Sequence, residues 1–202
     1  MDQQAIVLRS ARPILEEGLL YARYLDEAAE GFFRFMLGRR VADIVAAAYI
    51  QPDNDYSYQN VTFAEQDKVI VGMTSSFTAR QRCCFSDQPL KRAAGNHHLR
   101  MSIVTTLCAP LLRIINTIAD GDFYIQAIAV DKELRGEGVG SILIDYIEER
   151  AVASGSVRLS LDVSVKNKGA RRLYERRGMT VESEWPKLWF IPTLFVRMTK
   201  PL

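Results

Sequence analysis

The sequence has little cysteine and histidine, and it contains no long hydrophobic run. Three cysteines and two histidines among 202 residues leave no CxxC pair and no Cys/His spacing typical of zinc. No apolar run approaches the roughly 18 residues that span a bilayer, and the N-terminus has no charged-then-apolar signal. These absences exclude a disulfide scaffold. They predict a cytoplasmic protein that has no metal site and no membrane partner.

The charges are nearly balanced. Lys and Arg number 26 against 24 Asp and Glu, so the net charge is +2, well short of the basic excess typical of nucleic-acid binders. We therefore expect no nucleic-acid partner. The chain also lacks repeats and linker-like tracts, and its length predicts a single domain over residues 1–202.

Hydrophobic periodicity predicts an α/β fold. Residues 78–118 are the least regular part, and we expect an insertion there, with Pro110 starting or kinking a helix. Strands are predicted at 5–9, 61–64, 68–77, 123–130, 157–163, 180–185 and 194–200, with a hairpin turn at Gln66-Asp67. Helices are predicted at 13–29, 31–48, 101–118, 139–153 and 167–177.

The glycine-rich turn at residues 135–141 is the most informative segment. Three alternating glycines lie between a predicted strand and a predicted helix, so backbone amides and a helix N-terminus are open to an anion such as phosphate. A simple change of chain direction explains the same glycines. Ser141 follows Gly140 without the lysine of a Walker A loop, and it stands where a dinucleotide-binding loop needs its third glycine. Asp162 could still serve as a ribose-binding acid, so a nucleotide-binding oxidoreductase stays open.

Two segments together resemble the GNAT superfamily of acyl-CoA-dependent N-acetyltransferases. Residues 135–140 read Arg-Gly-Glu-Gly-Val-Gly and fit that family's Q/R-x-x-G-x-G/A signature. Residues 167–179 resemble its N-x-x-A-x-x-x-Y-E-x-x-G-[FM] helix. The resemblance implies a mixed, largely antiparallel central sheet of about seven strands, flanked by helices and carrying the insertion at about 78–118.

The resemblance also implies a binding site for acetyl-CoA as co-substrate. The pantetheine arm would pair with the strand segment of Ile128, Ala129 and Val130, and Asn167 would either bind that arm or only cap its helix. The pyrophosphate would be bound by the backbone amides of Arg135, Gly136, Glu137, Gly138, Val139, Gly140 and Ser141.

For catalysis, the resemblance implies that Tyr174 protonates the departing thiolate. Asp122 stands where some members keep a general base, although a turn-forming Gly-Asp pair or a water chain would explain the position equally. The implied reaction is direct attack by a small-molecule or peptide amine in a ternary complex. A non-catalytic acyl-CoA-binding module is the main alternative, and a homodimer through the closing strands is a further expectation.

Overall fold

The computed structural model describes residues 5–186 and 192–202, and for His98 and residues 110–116 it describes the backbone alone. Its strands are β1 Val7–Ser10, β2 Val61–Gln66, β3 Val69–Thr78, β4 Asp122–Val130, β5 Arg158–Ser164, β6 Thr180–Trp185 and β7 Phe195–Pro201. They form one seven-stranded sheet in the order β1-β2-β3-β4-β5-β7-β6. Among the described strands only the β4–β5 pair is parallel, which confirms the predicted largely antiparallel α/β fold.

Helices cover both faces of this sheet. They are α1 Leu15–Ala28, α2 Phe32–Leu37, α3 Val41–Tyr49, α4 Ala79–Cys84, α5 Gln88–Ala94, α6 His98–Asn116, α7 Val139–Ala153 and α8 Lys168–Arg176. Tyr21 and Tyr24 of α1 are buried in one core with Met73 of β3. On the opposite face, Ile147 of α7 packs with Leu159 of β5. No described helix is long and apolar enough to cross a membrane.

The predicted elements needed three corrections. The helix expected over 31–48 is divided at Gly38, whose positive φ of 76° is incompatible with a continuous helix. The β2–β3 turn lies at Asp67-Lys68 instead of Gln66-Asp67, because both residues adopt positive φ as a two-residue hairpin turn requires. The insertion holds three helices, and the last of them continues through Pro110.

A bulge in β4 changes which side chains face each helical layer. Ser75 of β3 pairs with Ala127 and Ser76 pairs with Ile125, so Gln126 is an extra residue on β4. Before the bulge, Ile125 packs in the α7–α8 core. Beyond it, Ala127 packs in the core under α1, which is on the other face.

The parallel β4–β5 pairing ends where this bulge begins. The last paired residues are Ile125 and Leu161, although β4 continues to Val130 and β5 to Ser164. Beyond this point the two strands no longer pair with each other, although each still pairs with its outer neighbour. We call these two ends, residues 126–130 and 162–164, the fork. Its apex is the Ile125–Leu161 pair, so a slot opens from the apex toward the C-terminal ends of both strands.

We expect Gly72→Ala to weaken the sheet beside the fork. A methyl group on Gly72 would lie 2.9 Å from the carbonyl oxygen of Ala129, across the β3–β4 pairing. The strands would have to shift, at a cost of about 1–3 kcal/mol in the free energy of unfolding measured with urea. Gly169→Ala is the matched control, because its methyl would meet nothing closer than 3.8 Å and a helical alanine stabilises by up to ~1 kcal/mol. Equal stabilities for the two variants would contradict this packing.

Candidate active site

The glycine turn links the end of β4 to the start of α7. Gly136 and Gly138 adopt φ values of 91° and 93°, and no atom lies within 4 Å of where their side chains would be. Gly138 is also the N-cap residue of α7, a helix of 15 residues that begins at Val139. The turn therefore presents a bare, left-handed backbone at the positive end of a long helix.

The amides of this turn divide into two groups. Three donate hydrogen bonds to backbone carbonyl groups of residues 132–138: those of Arg135, Glu137 and Ser141. Four make no hydrogen bond to any described residue: those of Gly136, Gly138, Val139 and Gly140. Unpaired amides at a helix N-terminus are suited to binding a phosphate group. Of the seven predicted donors, these four lack a partner among the described residues, and we call their amides open.

The fork gives an extended ligand a free strand edge. Residues 128–130 of β4 pair with β3 on one side only, since β5 has left the pairing by that point. The predicted residues Ile128, Ala129 and Val130 therefore line the fork and lead toward the glycine turn. A chain lying along this edge would connect the anion site to the apex.

Helix α1 and its following turn contact both arms of the fork. The Tyr24 hydroxyl donates to Asp131, directly after β4, at 3.0 Å, and Arg23 donates to the same carboxylate at 3.1 Å. At the other arm, the Ser164 hydroxyl at the end of β5 donates to Glu30 at 3.3 Å. These contacts fix the opening of the slot on its α1 side.

Tyr174 lies on the opposite face of the sheet, in the core formed with α7. Its side chain is buried, and burial raises the pKa of the phenol to about 12. Its hydroxyl makes no hydrogen bond within the described part of the chain. A neutral phenol without a partner can donate to a ligand atom that enters the slot.

Helix α8 is held against the first turn of α7. Leu173 approaches Gly140 so closely that a methyl there would lie 3.3 Å from its side chain. Arg177 donates to the Ser141 carbonyl at 3.2 Å and to Asp145 at 3.0 Å. Asn167 caps α8 by accepting from the Ala170 amide at 3.0 Å, as its sequence position predicts. The structure therefore places Tyr174 and Asn167 on a helix docked to the glycine turn.

Asp122 lies away from the fork. Its carboxylate is 1% exposed and accepts two hydrogen bonds from Arg158, at 2.7 and 3.1 Å. It pairs with Arg158 in the closed part of the β4–β5 ladder, four residues and about 13 Å along the strand from Gln126. This geometry disfavours the general-base role considered for Asp122, because the carboxylate is committed to a buried ion pair.

A polar cluster at the apex was missed from the sequence. The Tyr124 hydroxyl donates to Asp162 at 3.0 Å, and Arg197 donates to the two oxygens of that carboxylate at 3.0 and 2.7 Å. Burial and the neighbouring carboxylate raise the pKa of Tyr124 well above its ordinary value. The alternation Leu161-Asp162-Val163 could have placed Asp162 on the face opposite the α7–α8 core, but it could not identify its partners.

Comparison with known proteins agrees with this geometry. The chain matches the family model described as Acetyltransferase (GNAT) family over residues 25–179. It is 42% identical over 65 residues to the uncharacterized N-acetyltransferase MJ1207 of Methanocaldococcus jannaschii, a match covering 32% of this chain and 28% of that protein. The chain thus matches less than a third of that curated relative.

Solved structures show the same fold. The sequence is 25% identical to that of an acetyltransferase with a crystal structure, and the two structures have a TM-score of 0.69. The match covers 96% of this chain and 98% of that one. An N-acetyltransferase from Staphylococcus aureus Mu50 is 18% identical, with a TM-score of 0.67 and coverage of 96% and 100%. The family model includes the glycine turn, so the oxidoreductase alternative was wrong. This chain belongs to the GNAT acetyltransferase family.

Proposed function

We propose that this protein transfers an acetyl group from acetyl-CoA to a primary amine of a small molecule or peptide. The amine nitrogen attacks the thioester directly while both substrates are bound. The observation that carries the proposal is the set of four open amides, Gly136, Gly138, Val139 and Gly140, at the mouth of the fork. Coenzyme A has both the diphosphate that suits these donors and an extended arm that suits the free edge of β4.

In this proposal each part of coenzyme A has its own binding element. The glycine turn binds the pyrophosphate, and residues Ile128, Ala129 and Val130 pair with the pantetheine arm. Asn167 uses its side-chain oxygen to cap α8, so its amide nitrogen is the group we assign to the same arm. The thioester then lies at the apex, between the two helical layers.

Tyr174 is the proposed donor to the departing sulfur. Thiols titrate near ~8.5, so the leaving group departs as a thiolate and is stabilised by a nearby hydroxyl. Because burial raises the pKa of Tyr174 to about 12, the phenol keeps its proton throughout pH 6–9. Asp122 has a different task in this scheme: with Arg158 it holds the closed end of the β4–β5 pair.

The function is tested by thiol release from acetyl-CoA in the presence of a panel of amines. The panel contains alkylamines, spermidine and short peptides with free N-termini. We expect at least one amine to increase thiol release over the rate with water by 100-fold or more, with the acetylated amine identified by mass. Tight binding of acetyl-CoA by the folded protein, without transfer to any amine, would contradict the proposed reaction.

We expect Gly138→Ala to weaken binding of coenzyme A. A non-glycine residue at a φ of 93° costs about 1–2 kcal/mol, so the turn would relax and its amides would no longer converge. A loss of about 1.4 kcal/mol in binding is a tenfold increase in Kd, measurable by calorimetry.

Gly155→Ala is the control for this substitution. Gly155 follows the opposite end of α7, also has a positive φ, 72°, and has open space around it. The control therefore introduces similar backbone strain next to the same helix. Equal coenzyme A affinities for the two variants would show that the glycine turn does not bind the diphosphate.

Tyr174→Phe should lower kcat by about 100-fold or more, within the range measured for loss of a proton donor. The Kd for acetyl-CoA should stay within twofold, because the phenol contacts only the sulfur. The ratio of wild-type to variant kcat should be constant from pH 6 to 9, since the raised pKa keeps the phenol protonated throughout. A variant kcat within twofold of wild type across that range would remove this role from Tyr174.

A further inference from the structure

We propose that Tyr124 contacts the attacking nitrogen and relays its proton to Asp162, with Arg197 as the positioning residue. This inference rests on the proposed function, because it assigns a role in the same transfer. It replaces Asp122 as the proton acceptor with a cluster that lies at the apex of the fork.

The backbone places this cluster where the acetyl group would end. Tyr124 pairs with Ser160, one position before the final Ile125–Leu161 pair. Asp162 is the first residue of β5 beyond that pair, and it stays on the sheet by pairing with Arg197 of β7. Both side chains therefore stand at the closed end of the slot.

Tyr124 and Tyr174 lie on opposite faces of the sheet. Tyr174 belongs to the α7–α8 core with Phe123 and Ile125, the two residues that flank Tyr124 in β4. Since neighbouring strand residues point to opposite faces, Tyr124 points away from that core, and its ring packs on Phe77 at 5.7 Å. A thioester at the apex would thus have one phenol on each face of the sheet, and in this proposal the amine reaches it from the Tyr124 side.

The direction of the hydrogen bonds suits Tyr124 to receive a proton. Its hydroxyl hydrogen points to Asp162, so the lone pairs of the phenolic oxygen remain to accept from an N–H donor. Arg197 holds Asp162 with two hydrogen bonds and also donates to the Thr117 carbonyl that follows α6. The side chain of Asp162 is only 3% exposed, so water does not compete for this arrangement.

The charged groups around Tyr124 come from four elements. Asp162 and Arg197 lie on β5 and β7. Asp55, in the loop before β2, acts on Tyr124 electrostatically and pairs with Arg82 of α4 at 2.9 Å. Each carboxylate in this set therefore has an arginine partner, and the phenolic oxygen of Tyr124 is placed to relay a proton to Asp162.

The transfer forms one bond and breaks one bond. The neutral amine nitrogen forms a bond to the acetyl carbon, and the carbon–sulfur bond breaks. The nitrogen gives one proton to the Tyr124 oxygen, whose own proton moves to Asp162. The sulfur receives the Tyr174 proton. Once the products have left the slot, the proton on Asp162 returns to the Tyr124 oxygen while Tyr124 gives its own proton to solvent, and solvent restores the proton of Tyr174. The products are an amide and the free thiol of coenzyme A.

The test uses the full chain and the amine of the panel with the highest kcat/KM. Tyr124→Phe and Asp162→Asn should each lower kcat by about 100-fold, because either change interrupts the same proton path. The double variant should be no slower than the slower single variant, since residues that act as a unit are non-additive. The Kd for acetyl-CoA should remain within twofold in all three.

Tyr49→Phe is the matched control. Its hydroxyl also donates to a buried carboxylate, that of Glu17, at 3.4 Å, but Tyr49 is the last residue of α3 and packs on Tyr21 of α1 instead of standing at the apex. We expect this variant to keep kcat within twofold. If Tyr124 had only a structural role, Tyr124→Phe would lower kcat no more than Tyr49→Phe does for the same decrease in Tm.

The outcomes separate this inference from the proposed function. An active wild type with Tyr124→Phe within twofold of its kcat, or with additive losses in the double variant, would contradict the role of Tyr124 alone. A wild type that binds acetyl-CoA and acetylates no amine would contradict the proposed function, and the role of Tyr124 would fail with it.

Discussion

The end of the β4–β5 pairing is the constraint on which the rest of the site depends. Two parallel strands normally continue their ladder as far as both extend, yet here it ends at Ile125 and Leu161. The bulge at Gln126 lies directly beyond this point and inverts the facing of β4. One extra residue thus coincides with both a free strand edge and a change of face.

The elements around the fork hold it open from several directions. Helix α1 and its following turn contact the ends of both arms, through Asp131 and Ser164. On the other face, Arg177 ties α8 to the first turn of α7. The glycine turn is therefore attached to a rigid frame, so its open amides are preorganised and need not be ordered when a ligand binds.

Local features of the sequence predicted most of this frame. The helix over 139–153 was predicted with the bounds found, because its apolar spacing and the preceding glycines are both local signals. The bulge was not predicted, since a strict two-residue period contains no information on where an extra residue interrupts a ladder. Within the insertion, the helix predicted over 101–118 is found as α6, whereas α4 and α5 were not predicted, because six and seven residues span too few turns to show a helical period.

The candidate site likewise has a part that the sequence predicted and a part that it did not. The glycine turn and the helix with Tyr174 were found because each is one continuous segment of sequence. Tyr124, Asp162 and Arg197 come from three strands, separated by 38 and 35 residues, and only the sheet order brings them together. Asp122 was chosen by spacing along one strand, and the ion pair with Arg158 that commits its carboxylate comes from the next.

The central claim is that the fork and the glycine turn receive acetyl-CoA. Amide hydrogen exchange of the full chain, with and without saturating acetyl-CoA, measures this directly. The account predicts slower exchange at residues 126–130 and 136–140 and little change at 122–125, where the strands are already paired. Protection confined to other regions, or no protection in a folded protein at saturating acetyl-CoA, would contradict it.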